Sequence, residues 1–279
     1  MIPLVLQTLL NQLEKTLKNA DPLPWVNDEP TEEDINHLLH QASDSSSFDP
    51  LNLRSKTLQD LRESKAKLIT KRCKIAKVLA IVYPETKIPW ELFSKIFQAF
   101  GAENKDWRIV WFASPSKRTF PQNLGEEPTA AHINGGYTYA CRPDTVVIYR
   151  EEEVARVLIH ELLHAACTDN PDDSTIQREA KTESWAELFL VAIQTAGRPR
   201  KALQLWNLQA QWIADQEFIL QTKYGVRSPE NYAWRYTVAR RIVLEGLGCP
   251  LPKASPVAKA KAKAKAVPLT LSFTHPSLS

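Results

Sequence analysis

Val154-Ala155-Arg156-Val157-Leu158-Ile159-His160-Glu161-Leu162-Leu163-His164-Ala165-Ala166 is apolar on nearly every side of a helical projection, and a helix of that composition belongs inside a protein. Three acids, Glu151-Glu152-Glu153, stand just before it, where a helix N-terminus favours negative charge. The spacing predicts a buried helix over residues 151–167. Within it, His160 and His164 are four residues apart and share one face, and Glu161 lies beside them. Burying two imidazoles and a carboxylate among leucines costs free energy unless each is paired. One bound cation satisfies all three, and His-Glu-x-x-His on a helix is the pattern in which two imidazoles chelate Zn²⁺ while the glutamate reaches the attacking water.

Downstream, a polar loop over residues 168–174 leads to a second helix, expected over 176–195. It carries Glu179, Glu183 and Glu187 at successive i, i+4 positions. Like charges on one stripe repel, and the flanking Trp185, Leu188, Phe189, Val191 and Ile193 mark a packed helix. One glutamate on a metal and another on a ligand histidine removes the conflict. Helices over 199–223 and 229–246 follow.

Upstream, Arg108-Ile109-Val110-Trp111-Phe112 reads as a strand, as do residues 131–139 and 145–149 on either side of Arg142-Pro143-Asp144. Glycines Gly135 and Gly136 in the first of that pair permit either a close backbone approach or a bulge. Helices are expected over 4–18, from a capping box at Thr31-Glu32-Glu33-Asp34 to His40, as one long charged helix over 52–81, and over 90–100, ended by Gly101. Residues 43–50 read as a linker. The expected fold class is α+β: a mostly helical domain that, on its His-Glu-x-x-His motif, resembles the zincins (zincin-like), with a small mixed sheet, an active-site helix and a glutamate helix. The expected division is a helical N-terminal region 1–87 that caps the cleft or binds a partner, a catalytic domain 88–250, and a disordered Lys/Ala-rich tail 251–279.

Composition sets outer limits. Eight glycines against nineteen prolines and eight tryptophans in 279 residues fit long helices with stiff connections. Cys73, Cys141, Cys167 and Cys249 form no Cys-x-x-Cys pair, so the expectation is reduced thiols in an intracellular, cytoplasmic or nuclear setting, with Cys167 a small hydrophobe. No signal peptide or membrane span is expected. The tail holds Lys253, Lys259, Lys261, Lys263 and Lys265 and no acid, and taking these five from the net +3 leaves −2 for the rest. Such a tail suggests weak, salt-dependent nucleic-acid binding, or a solubilising or targeting role.

On these residues the sequence resembles the gluzincin clan of zinc metallopeptidases, thermolysin-like enzymes and minigluzincins among them. The resemblance covers residues 151–190. It implies that Glu183 is the third zinc ligand, Glu187 the acid that orients His160, and Glu161 the general base. Metzincins complete their zinc with a histidine soon after the motif, but Asn170 occupies that position here and no histidine occurs between His164 and His275. The aminopeptidase signature Gly-x-Met-Glu-Asn is missing, so the resemblance implies an endopeptidase acting on polypeptide. The downstream histidine that stabilises the oxyanion in thermolysin-like enzymes is missing too. Tyr232 and Tyr236 are the candidate substitutes, each alternatively a packing residue. A different class of protein also fits: a non-enzymatic nucleic-acid-, virion- or chromatin-associated protein whose zinc is purely structural, with a fourth protein ligand.

Overall fold

The run Ala76-Lys77-Val78-Leu79-Ala80-Ile81-Val82 is buried at every position, as a strand covered on both faces must be. It lies within a six-stranded mixed sheet in the computed structural model of the chain, which describes residues 2–19, 23–44, 46–101, 106–264 and 270–278. In chain order the elements are α1 (Leu4–Asn19), β1 (Val26–Asn27), α2 (Glu32–Ser43), α3 (Leu53–Arg62), β2 (Lys67–Cys73), β3 (Ala76–Val82), α4 (Trp90–Phe100) and β4 (Trp107–Phe112). There follow α5 (Ala130–Ile133), β5 (Gly136–Thr138), β6 (Val146–Ile148), α6 (Val154–Ala165), α7 (Thr175–Thr195), α8 (Pro199–Lys223), α9 (Val238–Gly246) and α10 (Pro256–Lys263). The expected α+β class holds. No described helix is long and apolar enough to cross a membrane.

The chain divides into two compact units. One comprises Thr16–Lys117 and Asn134–Thr168 and contains the whole sheet, in the order β1-β2-β3-β4-β6-β5. β3, β4 and β6 run parallel, while β2 and β5 are antiparallel to their neighbours. The long helix expected over 52–81 is not there. Instead α3 ends at Arg62, Ser64 turns the chain at φ 59°, and β2 and β3 form a hairpin in full register from Lys67↔Val82 to Cys73↔Ala76. Local charge density suggested helix, but the β-branched Ile69, Thr70, Val78, Ile81 and Val82 suit a pleated surface, and the parallel pairing of β3 with β4 decides the outcome. The region 1–87, expected to be helical, thus supplies three of the six strands.

Thr31 does open α2 with a reciprocal cap: its hydroxyl accepts from the Asp34 amide, and its own amide donates to the Asp34 carboxylate. Lys77 of β3 reaches the same carboxylate at 2.7 Å and that of Asp28 at 2.8 Å. The segment 43–50, read as a linker, is held at Asp44, Ser46 and Asp49 by buried Arg54. Its guanidinium pairs with Asp49, donates to the Gln41 carbonyl, and donates to the Tyr137 hydroxyl of β5 at 2.5 Å. The N-terminal turn of α6 also differs from expectation. Glu153 adopts φ 59°, so the helix begins at Val154 and the three acids lie in the turn before it. The strand expected from residue 131 begins as the short helix α5, and only Gly136–Thr138 pairs with β6.

The other unit comprises Met1–Lys15, Arg118–Ile133 and Asp169–Ser279. In it α7 starts from a second capping box, Ser174 with Gln177, and packs on α8 and α9. α9 begins at Val238 rather than 229, after a 3-10 turn over Tyr232–Trp234. The described residues of the tail, 251–264 and 270–278, do not fit the disordered expectation. Ser255 caps α10 and also bonds Asp215 of α8, while Ala258, Leu271 and Phe273 enter a core with Phe120, Leu220, Tyr224 and Tyr236. The alternating Lys-Ala composition hid this, because one buried alanine and the apolar residues beyond 270 suffice to dock the segment. Lys265 lies outside the described residues.

Candidate metal centre

On α6 the helical period sets His160 and His164 one turn apart, and their Nε2 atoms face each other at 3.2 Å. The rings meet at 70° with centroids 4.9 Å apart. Two nitrogens held about 2.05 Å from one tetrahedral Zn²⁺ would lie roughly 3.3 Å apart, so the pair fits a common cation. His160 and Glu161 are buried, and apolar residues fill almost all of the remaining helix surface.

Glu161 is aimed at the sheet edge. A Cβ built on Gly136 of β5 would stand 3.0 Å from Glu161 Oε1, 2.7 Å from Val157 Cγ1 and 2.9 Å from the Val147 carbonyl oxygen. Only glycine lets the strand pass this close to the carboxylate. β5 is an edge of the sheet. The Gly135 carbonyl accepts from the Tyr149 amide at 2.8 Å, so Gly135 and Tyr137 take the positions bonded to β6. In an antiparallel ladder the alternate residues, Gly136 and Thr138, then turn their N–H and C=O groups outward. The strand is held from behind: Tyr137 donates to Gln41 Oε1, accepts from Arg54, and stacks on Phe48 with centroids 5.5 Å apart. Burial pushes its phenol pKa upward, more than the Arg54 charge lowers it.

On α7, Glu183 and Glu187 are buried and Glu179 is half-buried. Glu187 pairs with fully buried Arg240 at 3.0 Å and accepts from Gln209 Nε2 at 2.8 Å, which neutralises the innermost charge of the stripe. Among the described residues, the group able to hold a metal is His160, His164 and Glu179, whose ligand atoms all lie within 4.8 Å of one another. Glu179 was one of three glutamates open on the stripe, and the resemblance favoured Glu183, one turn further along. Tyr236 is buried, and its phenol is pushed well above the ordinary value by burial first and by the Glu179 carboxylate next, with Tyr232 and Glu183 adding to it. It therefore stays a neutral O–H donor beside these acids. The Tyr232 ring lies 5.7 Å from that of Tyr236 and under the Arg235 guanidinium at 4.8 Å.

Cys167, expected as a small buried hydrophobe, is exposed and joined to Cys141 by a disulfide. Nothing in the sequence spacing pairs these two, because the hairpin turn brings them together. Cys73 and Cys249 are buried free thiols, the latter pushed to about 11 by burial.

No family model, no curated protein and no solved structure matches the chain.

Proposed function

We propose that this chain is a zinc-dependent peptidase of gluzincin type, with His160 and His164 as two ligands and a carboxylate of α7 as the third. The observation that carries the reading is the 3.2 Å separation of the two Nε2 atoms on a buried helix. The resemblance of residues 151–190 to gluzincins favours Glu183 for the carboxylate, and the proximity of Glu179 to both imidazoles favours that residue. Three protein ligands leave a coordination position for water, as catalytic rather than structural sites do. Bound there, Zn²⁺ would acidify that water and polarise the scissile carbonyl.

The chain's own groups do the rest. Glu161 takes a proton from the attacking water and delivers it to the leaving amine nitrogen, base first and acid second. The outward N–H and C=O groups of Gly136 and Thr138 offer an extended polypeptide an added-strand seat, with the Glu161 carboxylate directly behind it. Such a seat binds backbone within a chain rather than a free terminus, which favours an endopeptidase. Tyr236, kept protonated by burial and the Glu179 carboxylate, and Tyr232 beside it are the two candidates to donate to a developing oxyanion. Glu187, bonded to Arg240 and Gln209, stiffens α7, and its role of orienting His160 rests on the resemblance to gluzincins alone.

The test is cleavage of an unfolded substrate such as casein by the full chain, stopped by a chelator and restored by Zn²⁺. Zinc retention without any chelator-sensitive cleavage would favour the structural-zinc reading instead. The full chain is needed, since removing residues 1–87 would take β3 out of the sheet.

A further inference from the structure

Cys141 and Cys167 both occupy backbone positions that normally belong to glycine. α6 ends in the double hydrogen-bonded cap in which Cys167 N–H donates to His164 O at 3.1 Å and Thr168 N–H to Leu163 O at 3.3 Å. The residue that closes such a cap is left-handed and usually glycine; here it is Cys167 at φ 64°. Cys141 is the third residue of the turn closed by Arg142 N–H on Tyr139 O, and it stands at φ 62°. That turn position also favours glycine or asparagine. Two side chains at two glycine positions are hard to account for by packing, because both residues are exposed. They are accounted for by the bond between them, across Cα atoms 4.5 Å apart.

The bond has a definite mechanical target. Cys141 N–H, like Cys167 N–H, donates to the carbonyl oxygen of His164, again at 3.1 Å. The disulfide therefore clips the β5–β6 connection onto the last turn of α6, at the backbone of a histidine whose ring is half of the imidazole pair. Exposed disulfides are the ones open to attack by external thiols.

We propose that Cys141–Cys167 is a thiol-exchange site that clamps the His164 end of α6 and is opened by a small dithiol or a dithiol protein. One thiolate of the dithiol attacks one cysteine sulfur, the Sγ–Sγ bond breaks, and the other cysteine leaves as a thiolate and takes up a proton. The second thiol of the reagent then displaces the first cysteine, leaving two protein thiols and one reagent disulfide, with two electrons transferred to the protein. Once opened, two non-glycine residues remain in left-handed conformations without the bond that held them, and the cap and turn at His164 loosen. Reducing compartments would keep the clamp open and oxidising ones closed. The inference concerns the disulfide and the helix end, and stands independently of what the imidazoles bind.

The experiment uses the full chain after air oxidation, treated under native conditions with dithiothreitol and then iodoacetamide. Mass spectrometry should find Cys141 and Cys167 alkylated only after dithiothreitol, with buried Cys73 and Cys249 unmodified. Hydrogen exchange at the amides of Cys141, Cys167 and Thr168 should accelerate at least about tenfold on reduction. The double variant C141G/C167G, in which glycine takes both left-handed positions, should fold and show no response to dithiothreitol. Alkylation of Cys141 and Cys167 without reductant, unchanged amide exchange after reduction, or a full dithiothreitol response in the double variant would each overturn the proposal.

Discussion

The Nε2 atoms of His160 and His164 stand 3.2 Å apart, facing one another across a single turn of α6. A tetrahedral zinc imposes nearly that distance on two imidazole ligands, whereas two neutral rings reach it only if one donates to the other. Metal analysis separates the two cases. Purified protein is expected to hold about one Zn²⁺ per chain, and His160→Ala or His164→Ala to leave about a tenth of that or less. Glu179→Ala and Glu183→Ala, measured side by side, identify the carboxylate ligand as the one whose loss releases the metal. Wild-type protein without zinc after dialysis against it would show that the rings are hydrogen-bonded to each other.

Gly136→Ala is expected to cost about 1–3 kcal/mol, because the new methyl would press on Val157 and on the Val147 carbonyl, a backbone atom that cannot swing aside. Thermal or urea unfolding reads this directly. The same methyl displaces the Glu161 carboxylate, so hydrolysis should fall by more than the folded fraction does. A fully stable variant with wild-type hydrolysis would show that β5 does not constrain Glu161.

Acid should weaken the unit that contains the sheet. Hydrogen bonding from Lys77 holds the Asp28 carboxyl below its ordinary 3.8. At Asp34, burial opposes ionisation, but bonds from Lys77 and Thr31 prevail and leave the carboxyl depressed as well. A carboxyl depressed in the folded state stabilises it above the unfolded-state pKa, and that contribution disappears as pH falls through the folded-state value. These two groups therefore predict constant stability between about pH 5 and 7 and a decline below about pH 4. Asp34→Asn should lose about 1–2 kcal/mol at pH 7 and flatten the acid limb. An unchanged acid limb in that variant would remove the Lys77 network as its source.

Much of the architecture around α6 could be read from the sequence because it rests on local signals. Periodicity predicted α7 and α8 to within a residue, the Thr31–Asp34 box marked the start of α2, and Gly101 marked the end of α4. The β2–β3 hairpin was illegible for the opposite reason: its charged residues fit a helix locally, and only pairing with β4, far along the chain, makes it a strand. The docked tail and the Cys141–Cys167 bond likewise depend on partners distant in sequence. At the candidate site, the two histidines and Glu161 followed from one motif. The choice among Glu179, Glu183 and Glu187 did not, because a single stripe presents all three at equal spacing. Arg240 as the partner of Glu187 left no sequence signal at all.

The lysines of α10 and its approach can be tested without harming the fold. Lys253, Lys259, Lys261 and Lys263 are exposed, whereas Leu271 and Phe273 are core residues, so substitution is the right experiment and truncation the wrong one. Changing the four lysines to alanine should leave the melting temperature nearly unchanged. If the segment binds nucleic acid, retention on a DNA column should weaken and its dependence on log salt should flatten by about four phosphate contacts' worth. Identical salt elution of the two proteins would remove nucleic acid as a partner of this segment.

The central claim is that Glu161 moves a proton while His160 and His164 hold a metal. Glu161→Gln keeps the side chain's shape beside Gly136 but cannot accept the proton. The decisive measurement is therefore zinc content and casein hydrolysis on the same preparation of wild type and Glu161→Gln. The account predicts about one zinc per chain in both, with hydrolysis reduced by two or more orders of magnitude, roughly the share general-base catalysis contributes. Equal chelator-sensitive hydrolysis by the two proteins, at equal zinc, would contradict it.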